Sequence, residues 1–162
     1  MEKDILLEVV NNALDRLYEN DFYLIKNNLS ERNLVFHFSR YFIDICKEKK
    51  LKYANLNVDC EYNRNRFNEK MYKQVIYENQ EHQSYPDFIL HERGSNNNNI
   101  LVIEFKKANN KKNKTDLLKL KAFTDNHGCY KYLLGLAIQF ESSRERVKII
   151  KFENGRQVYR KN

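Results

Sequence analysis

YPDFILHERGSNNNNILVIEFKK, residues Tyr85 to Lys107, holds two short apolar runs, Phe88 to Leu90 and Ile100 to Ile103, on either side of a Gly-Ser-Asn tract that sustains neither helix nor strand. Such a pattern predicts a β-hairpin. Pro86 and Asp87 open its first strand, and Glu104, Phe105 and Lys106 close its second. Strand side chains alternate between faces, so Glu104 and Lys106 share one face while Phe105 enters the opposite layer. Charge on buried strands calls for a reason, because an unpaired ion is costly to take out of water. If the hairpin pairs Asp87 near Glu104, two carboxylates converge within reach of one hard cation, and the Phe105 carbonyl offers a further oxygen. An oxygen-rich, partly hydrated site of this kind suits Mg2+ or Mn2+. Lys106 then stands beside the ion, placed to orient or deprotonate a water or to hold a phosphate as its charge grows. The plainer reading is a strand that begins at Asp87 after a turn, with Glu104 and Lys106 as a solvated pair at a strand end.

The 162 residues suffice for one domain, 1–162, that buries a single core without disulfide or metal staples. The sequence has neither a run of about 18 apolar residues nor a signal-peptide pattern at Met1 to Asp4, so the expected location is cytoplasmic, with no membrane attachment. Cys46, Cys60 and Cys129 lack any Cys-x-x-Cys spacing, which argues against a disulfide framework or a zinc site and predicts ordinary buried thiols. Among His37, His82, His91 and His127, only His91 shares the strand parity of Asp87 and could face the site, the plainer reading of such a His being a surface or cap residue. The net charge of +7 is unevenly spread. From Lys106 to Lys121 seven Lys stand against Asp116 alone, and from Arg144 to Lys161 seven basic residues stand against Glu145 and Glu153. A cationic surface beside a metal site suits a phosphate-backbone substrate. The alternative is solvated lysine in an Asn- and Lys-rich composition.

Working outward, Asp4 to Tyr18 repeats apolar residues at three- and four-residue spacing and predicts an amphipathic helix. A short apolar patch, Phe22 to Ile25, follows. Ser30 is a good N-cap for a second helix that turns Leu34, Val35, Phe38, Tyr41, Phe42 and Ile45 to the core. Glu31 lies in its first turn on the same stripe, where an acid is also favoured by the helix dipole alone. Leu56 to Tyr62 alternates and predicts the first strand, with Asp59 and Glu61 on one face as second choices to Glu31. Asn63 to Ser84 reads as a loop with a partial helix. After the hairpin, Ala108 to Lys114 is a Lys/Asn loop, and Thr115 and Asp116 are expected to cap a third helix ending at His127-Gly128. The near-continuous apolar run Tyr132 to Ile138 predicts a central strand, joined to the hairpin by a right-handed parallel crossover. Val147 to Tyr159, turning at Asn154-Gly155, predicts an appended terminal hairpin.

Pro86-Asp87 followed by Glu104-Phe105-Lys106, both on predicted strands, resembles the signature of the PD-(D/E)XK nuclease superfamily. The element order also resembles that of its restriction-endonuclease-like fold, an α/β domain whose mixed central sheet is flanked by helices in the core order helix, three strands, helix, strand. The resemblance covers roughly residues 30 to 140, with an extra N-terminal helix and the C-terminal hairpin outside it. It implies catalytic roles for Asp87, Glu104 and Lys106, and metal ligation by Asp87, Glu104 and the Phe105 carbonyl. It also implies that Glu31 completes or supports the site, as an acid on the helix before the sheet does in many members. The basic residues Lys107, Lys111, Lys112, Lys119 and Lys121 are the expected nucleic-acid contacts.

The function so implied is metal-dependent phosphodiester hydrolysis with Mg2+ or Mn2+, with DNA the first expectation for substrate and RNA the second. Endonucleolytic and exonucleolytic action both stay open. A homodimer would let two sites cut two strands, although no interface patch stands out in the sequence. The alternatives are a nucleic-acid-binding module that keeps the fold without chemistry, and an interaction subunit of a defence or repair assembly.

Overall fold

The computed structural model describes residues 2–62, 64–65, 68–69, 71–73, 81–107 and 114–159. The three- and four-residue periodicity at the N-terminus becomes helix α1, Glu2–Asn20, which buries Leu6, Val9, Val10, Ala13, Leu14, Leu17 and Tyr18. The apolar patch after it forms a one-turn helix α2, Phe22–Lys26, with no buried residue. Helix α3, Glu31–Glu48, begins where Ser30 accepts the Asn33 N–H with its hydroxyl, and it buries the expected stripe from Leu34 to Ile45.

The main sheet has six strands. Strand β1 is Asn57–Asp59. Four short strands follow, β2 (Arg64–Asn65), β3 (Asn68–Glu69), β4 (Met71–Lys73) and β5 (Glu81–Gln83), paired as β2 with β3 and β4 with β5. Where 63–84 is described it therefore forms short paired strands, and the rest of the stretch expected as a loop with a partial helix, 74–80 included, lies outside the described residues. The hairpin is β6, Phe88–His91, and β7, Leu101–Lys106. Helix α4, Lys114–Thr124, crosses to β8, Leu134–Gln139, which runs parallel to β7. The chain closes with β9, Lys148–Glu153, and β10, Arg156–Val158. This last hairpin is not appended: β9 pairs antiparallel with β8, so the sheet runs β1-β6-β7-β8-β9-β10.

Alternation along β7 assigns each residue its layer. Leu101, Ile103 and Phe105 join Phe88, Leu90, Leu134, Leu136 and Ile138 beneath α1 and α3. Val102 and Ile89 join Leu120, Phe123, Tyr132 and Phe152 beneath α4. The domain is thus a three-layer α/β arrangement, and Glu104 and Lys106 fall on the α4 face, at the carboxyl end of the parallel pair. Helix α4 sits close because Gly135 faces it. A Cβ on Gly135 would meet Thr124 Cγ2 at 2.9 Å and Phe152 Cβ at 3.3 Å. Gly135→Ala is therefore expected to destabilise the fold by about 1 to 3 kcal/mol, read as a lower urea midpoint with unchanged slope. Wild-type stability in that variant would show that α4 is loosely seated. Among the described residues, no helix is long and apolar enough to cross a membrane.

Candidate functional site

The register of the hairpin builds the site. Phe88 pairs with Ile103 and Ile89 with Val102. Carried past its last pair, this register sets Asp87 opposite Glu104 and Pro86 opposite Phe105. Asp87 Oδ2 accepts the Phe105 N–H at 2.7 Å. Because the N–H and C=O of a strand residue point to the same side, the Phe105 carbonyl also faces the β6 edge. Its opposite residue, Pro86, has no N–H to donate to it. Asp87 and Glu104 thus face each other across the hairpin, with the Phe105 carbonyl on the same strand edge.

Glu104 is 3 % exposed, a charge-bearing side chain inside the sheet-helix interface. Burial, and then the neighbouring Asp87 carboxylate, push its pKa well above the ordinary carboxylate range, against the pull of Lys119 and Lys106. Burial also raises Asp87, opposed by the Phe105 N–H and by Lys106. Lys106 Nζ lies 3.2 Å from Asp116 Oδ2 and 3.6 Å from Glu31 Oε1. For Lys106, burial works to lower the pKa, but Asp116, Glu31 and Asp87 outweigh it and hold the ammonium above its usual value.

Two residues of α4 complete the arrangement. Asp116, expected as a cap, instead lies within the first turn of a helix that starts at Lys114, and it is 5 % exposed. Lys119 Nζ is 3.3 Å from Asp116 Oδ1 and 3.7 Å from Glu104 Oε1. Asp116 is the site residue that reading the sequence missed. The signal available for it was the i,i+3 spacing to Lys119, which pairs opposite charges on one helix face.

The other expected residues are distributed as follows. Glu31 reaches the site from the start of α3, and that start is tied down by Lys107, whose ammonium donates to the Asn28 and Leu29 carbonyls at 3.3 and 3.2 Å. Lys107 is therefore engaged with a turn of the fold. Lys121 is exposed on α4, and Lys111 and Lys112 lie outside the described residues. His91 shares the parity of Asp87 but sits at the far end of β6. Its Nε2 is 2.9 Å from Asp59 Oδ2, and its ring packs edge-on against Tyr62. Arg93 also binds Asp59. Burial would raise the Asp59 pKa, but the Arg93 and His91 hydrogen bonds prevail and hold it below the ordinary range, so Asp59 belongs to a separate structural cluster. Glu61 accepts from Arg32 at 2.7 Å. Of the cysteines, Cys46 is buried, with its thiol pushed up to about 11 by desolvation, whereas Cys60 and Cys129 are exposed, contrary to expectation.

Space on the two sides of the carboxylates differs. Between α4 and the ends of β7, β8 and β9 lies a cavity of about 30 Å³ lined by Glu104, Lys106, Asp116, Leu117 and Gln139, room for a water rather than a substrate. On the other side, a groove of about 500 Å³ runs past Asp87, Glu31, Phe36, Cys60 and Glu61.

Among the described residues, Glu31, Asp87, Glu104 and Asp116 of this cluster face Lys106 and Lys119, a formal surplus of two negative charges. Glu31 Oε2 and Glu104 Oε1 are buried oxygens that accept no hydrogen bond from the described residues. Among the described residues, no three His, Cys, Asp or Glu side chains form a preformed metal cluster. Mg2+ does not require one, because it keeps several of its waters and takes one or two carboxylates. The all-oxygen donor set therefore fits a hard divalent cation held by Asp87 and Glu104. Compared with protein-family models, curated proteins and solved structures, the chain matches none.

Proposed function

We propose that this chain is a divalent-metal-dependent nuclease of the PD-(D/E)XK kind, hydrolysing phosphodiester bonds, with DNA as the expected substrate ahead of RNA. The observation that carries this reading is the buried Glu104 carboxylate set against Asp87, with an oxygen that accepts no hydrogen bond and two formal negative charges left over. Burying like charges side by side is costly unless a proton or a cation joins them. The order α3, β1, β6, β7, α4, β8 adds support, since it follows the core order of the restriction-endonuclease-like fold.

Asp87, Glu104 and the Phe105 carbonyl would hold the ion. A bound Mg2+ or Mn2+ polarises a phosphoryl oxygen and lowers the pKa of water. The chain's own groups supply the rest. The Phe105 N–H fixes the Asp87 carboxylate through one oxygen and leaves the other free. Glu31 and Asp116 hold the Lys106 ammonium on the Glu104 face, where it would stabilise charge growing on a phosphate. The groove past Asp87 admits the strand, and the exposed Lys114 and Lys121 of α4 add cationic charge to the surface.

The test is cleavage of linear and circular duplex DNA, single-stranded DNA and RNA in Mg2+, Mn2+ or EDTA, comparing the wild type with Asp87→Asn. Cutting that needs metal and falls at least about 100-fold in Asp87→Asn is the expected result. Cutting that persists in EDTA, or that Asp87→Asn leaves intact, would overturn the assignment. Salt-sensitive binding without turnover in either metal would favour the non-catalytic binding module. A co-purifying protein retained after nuclease treatment, with no binding to nucleic acid, would favour the interaction subunit.

A further inference from the structure

Asp116 is the one carboxylate of the cluster that touches both ammonium groups. Its Oδ2 is 3.2 Å from Lys106 Nζ and its Oδ1 is 3.3 Å from Lys119 Nζ. The side chains of Asp116 and Lys119 are only 7 % and 19 % exposed, so solvent and salt screen this pair weakly. Lys119 has a competing partner in Glu104 Oε1, at 3.7 Å. The ammonium therefore stands between a carboxylate that would bind an ion and one that would not. An ion can take Glu104 only if Lys119 has somewhere else to put its charge.

We propose that Asp116 is a positioning residue that holds one ammonium on each oxygen, aiming Lys106 at the Asp87 and Glu104 pair and drawing Lys119 off Glu104 so that this carboxylate is open to a divalent cation. The proposal rests on the reading of Asp87 and Glu104 as the metal ligands. It assigns Asp116 no contact with metal or substrate. Its effect runs through Lys119: with Asp116 neutralised, the Lys119 ammonium shifts toward Glu104 and competes with the ion for it. The i,i+3 spacing on α4 makes this geometry durable, since both side chains rise from the same helix face.

The experiment measures Mn2+ binding to the purified full chain by electron paramagnetic resonance and calorimetry, in the wild type, Asp116→Asn, Lys119→Met and the double variant. Asp116→Asn should weaken binding by about 10- to 100-fold, the range seen when groups that orient metal ligands are removed. Lys119→Met alone should bind at least as tightly as the wild type, and the double variant should recover most of the lost affinity. A double variant as weak as Asp116→Asn overturns the proposal, because Asp116 would then be ligating the ion or holding the fold directly. Undiminished binding in Asp116→Asn overturns it as well. A crystal structure of metal-free Asp116→Asn gives an answer that needs no metal: Lys119 Nζ should move to hydrogen-bonding distance of Glu104, and an unmoved Lys119 refutes the mechanism. If the wild type takes up no Mn2+ while Lys119 still moves, the metal reading fails and the positioning role stands.

Discussion

Glu104→Gln is expected to make the metal-free protein more stable at neutral pH, by on the order of 1 to 2 kcal/mol, and to abolish metal-dependent cleavage. Glu104 is almost wholly buried, and Oε1 accepts no hydrogen bond. Its nearest cation, Lys119, stands at 3.7 Å, too far for a good hydrogen bond, while Asp87 repels it from across the hairpin. Glutamine keeps the shape and removes the charge. The pH dependence follows from the raised pKa. A carboxyl whose folded value lies above its unfolded value near 4.5 gives its full contribution to stability below 4.5 and loses it as pH rises through the folded value. The variant should therefore match the wild type in acid and pull ahead as pH increases. Urea unfolding in EDTA from acid to mildly alkaline pH reads this directly. A variant less stable than the wild type at pH 7 would mean that the Lys119 ion pair outweighs burial and repulsion. Saturating Mg2+ should reverse the ranking, because an ion bound only to the folded wild type stabilises it by about 2.7 kcal/mol at 100 times its Kd.

The features that make Glu104 costly were legible in the sequence to the extent that they are local. Alternation along Leu101 to Lys106 placed Glu104 and Lys106 on one face, and the hairpin pattern raised a pairing of Asp87 near Glu104, which the register of Phe88 with Ile103 supplies. The Ser30 cap and the α4 crossover were readable for the same reason: each follows from backbone preference within a few residues. What escaped reading depends on distant packing. An acid in the first turn of a helix is already accounted for by the helix dipole, so nothing near Asp116 announced that α4 would press it against the ends of β7 and β8. Lys107 looked like one more cation in a basic run, whereas its partners are carbonyls at Asn28 and Leu29, far back in the chain. The terminal hairpin looked appended because its Asn154-Gly155 turn is a local signal and its partner in the sheet is not. In the fold, Phe152 lies under α4 and opposite Gly135, a pairing that only the assembled sheet supplies.

Lys106→Met should separate ion binding from turnover, lowering the cleavage rate by about 100- to 1,000-fold while metal affinity holds or increases. The reasoning starts from charge. Among the described residues, removing the ammonium leaves Glu31, Asp87, Glu104 and Asp116 of the cluster facing Lys119, so the formal surplus grows from two negative charges to three. Lys106 lowers the pKa of both Asp87 and Glu104, and without it both should rise further in the metal-free protein. Metal-free stability near neutral pH should then fall, and the stabilisation gained on adding Mn2+ should grow. The loss in rate has a different origin: the methionine side chain retains the packing of the lysine stem but offers nothing to charge growing on a phosphate. Single-turnover cleavage at saturating Mn2+, set beside calorimetric Mn2+ titration, makes the comparison. If affinity and cleavage are lost together, Lys106 is holding the carboxylates in place. If cleavage persists, the charge that assists the reaction comes from another residue, and Lys119, the other ammonium at Glu104, becomes the next to replace.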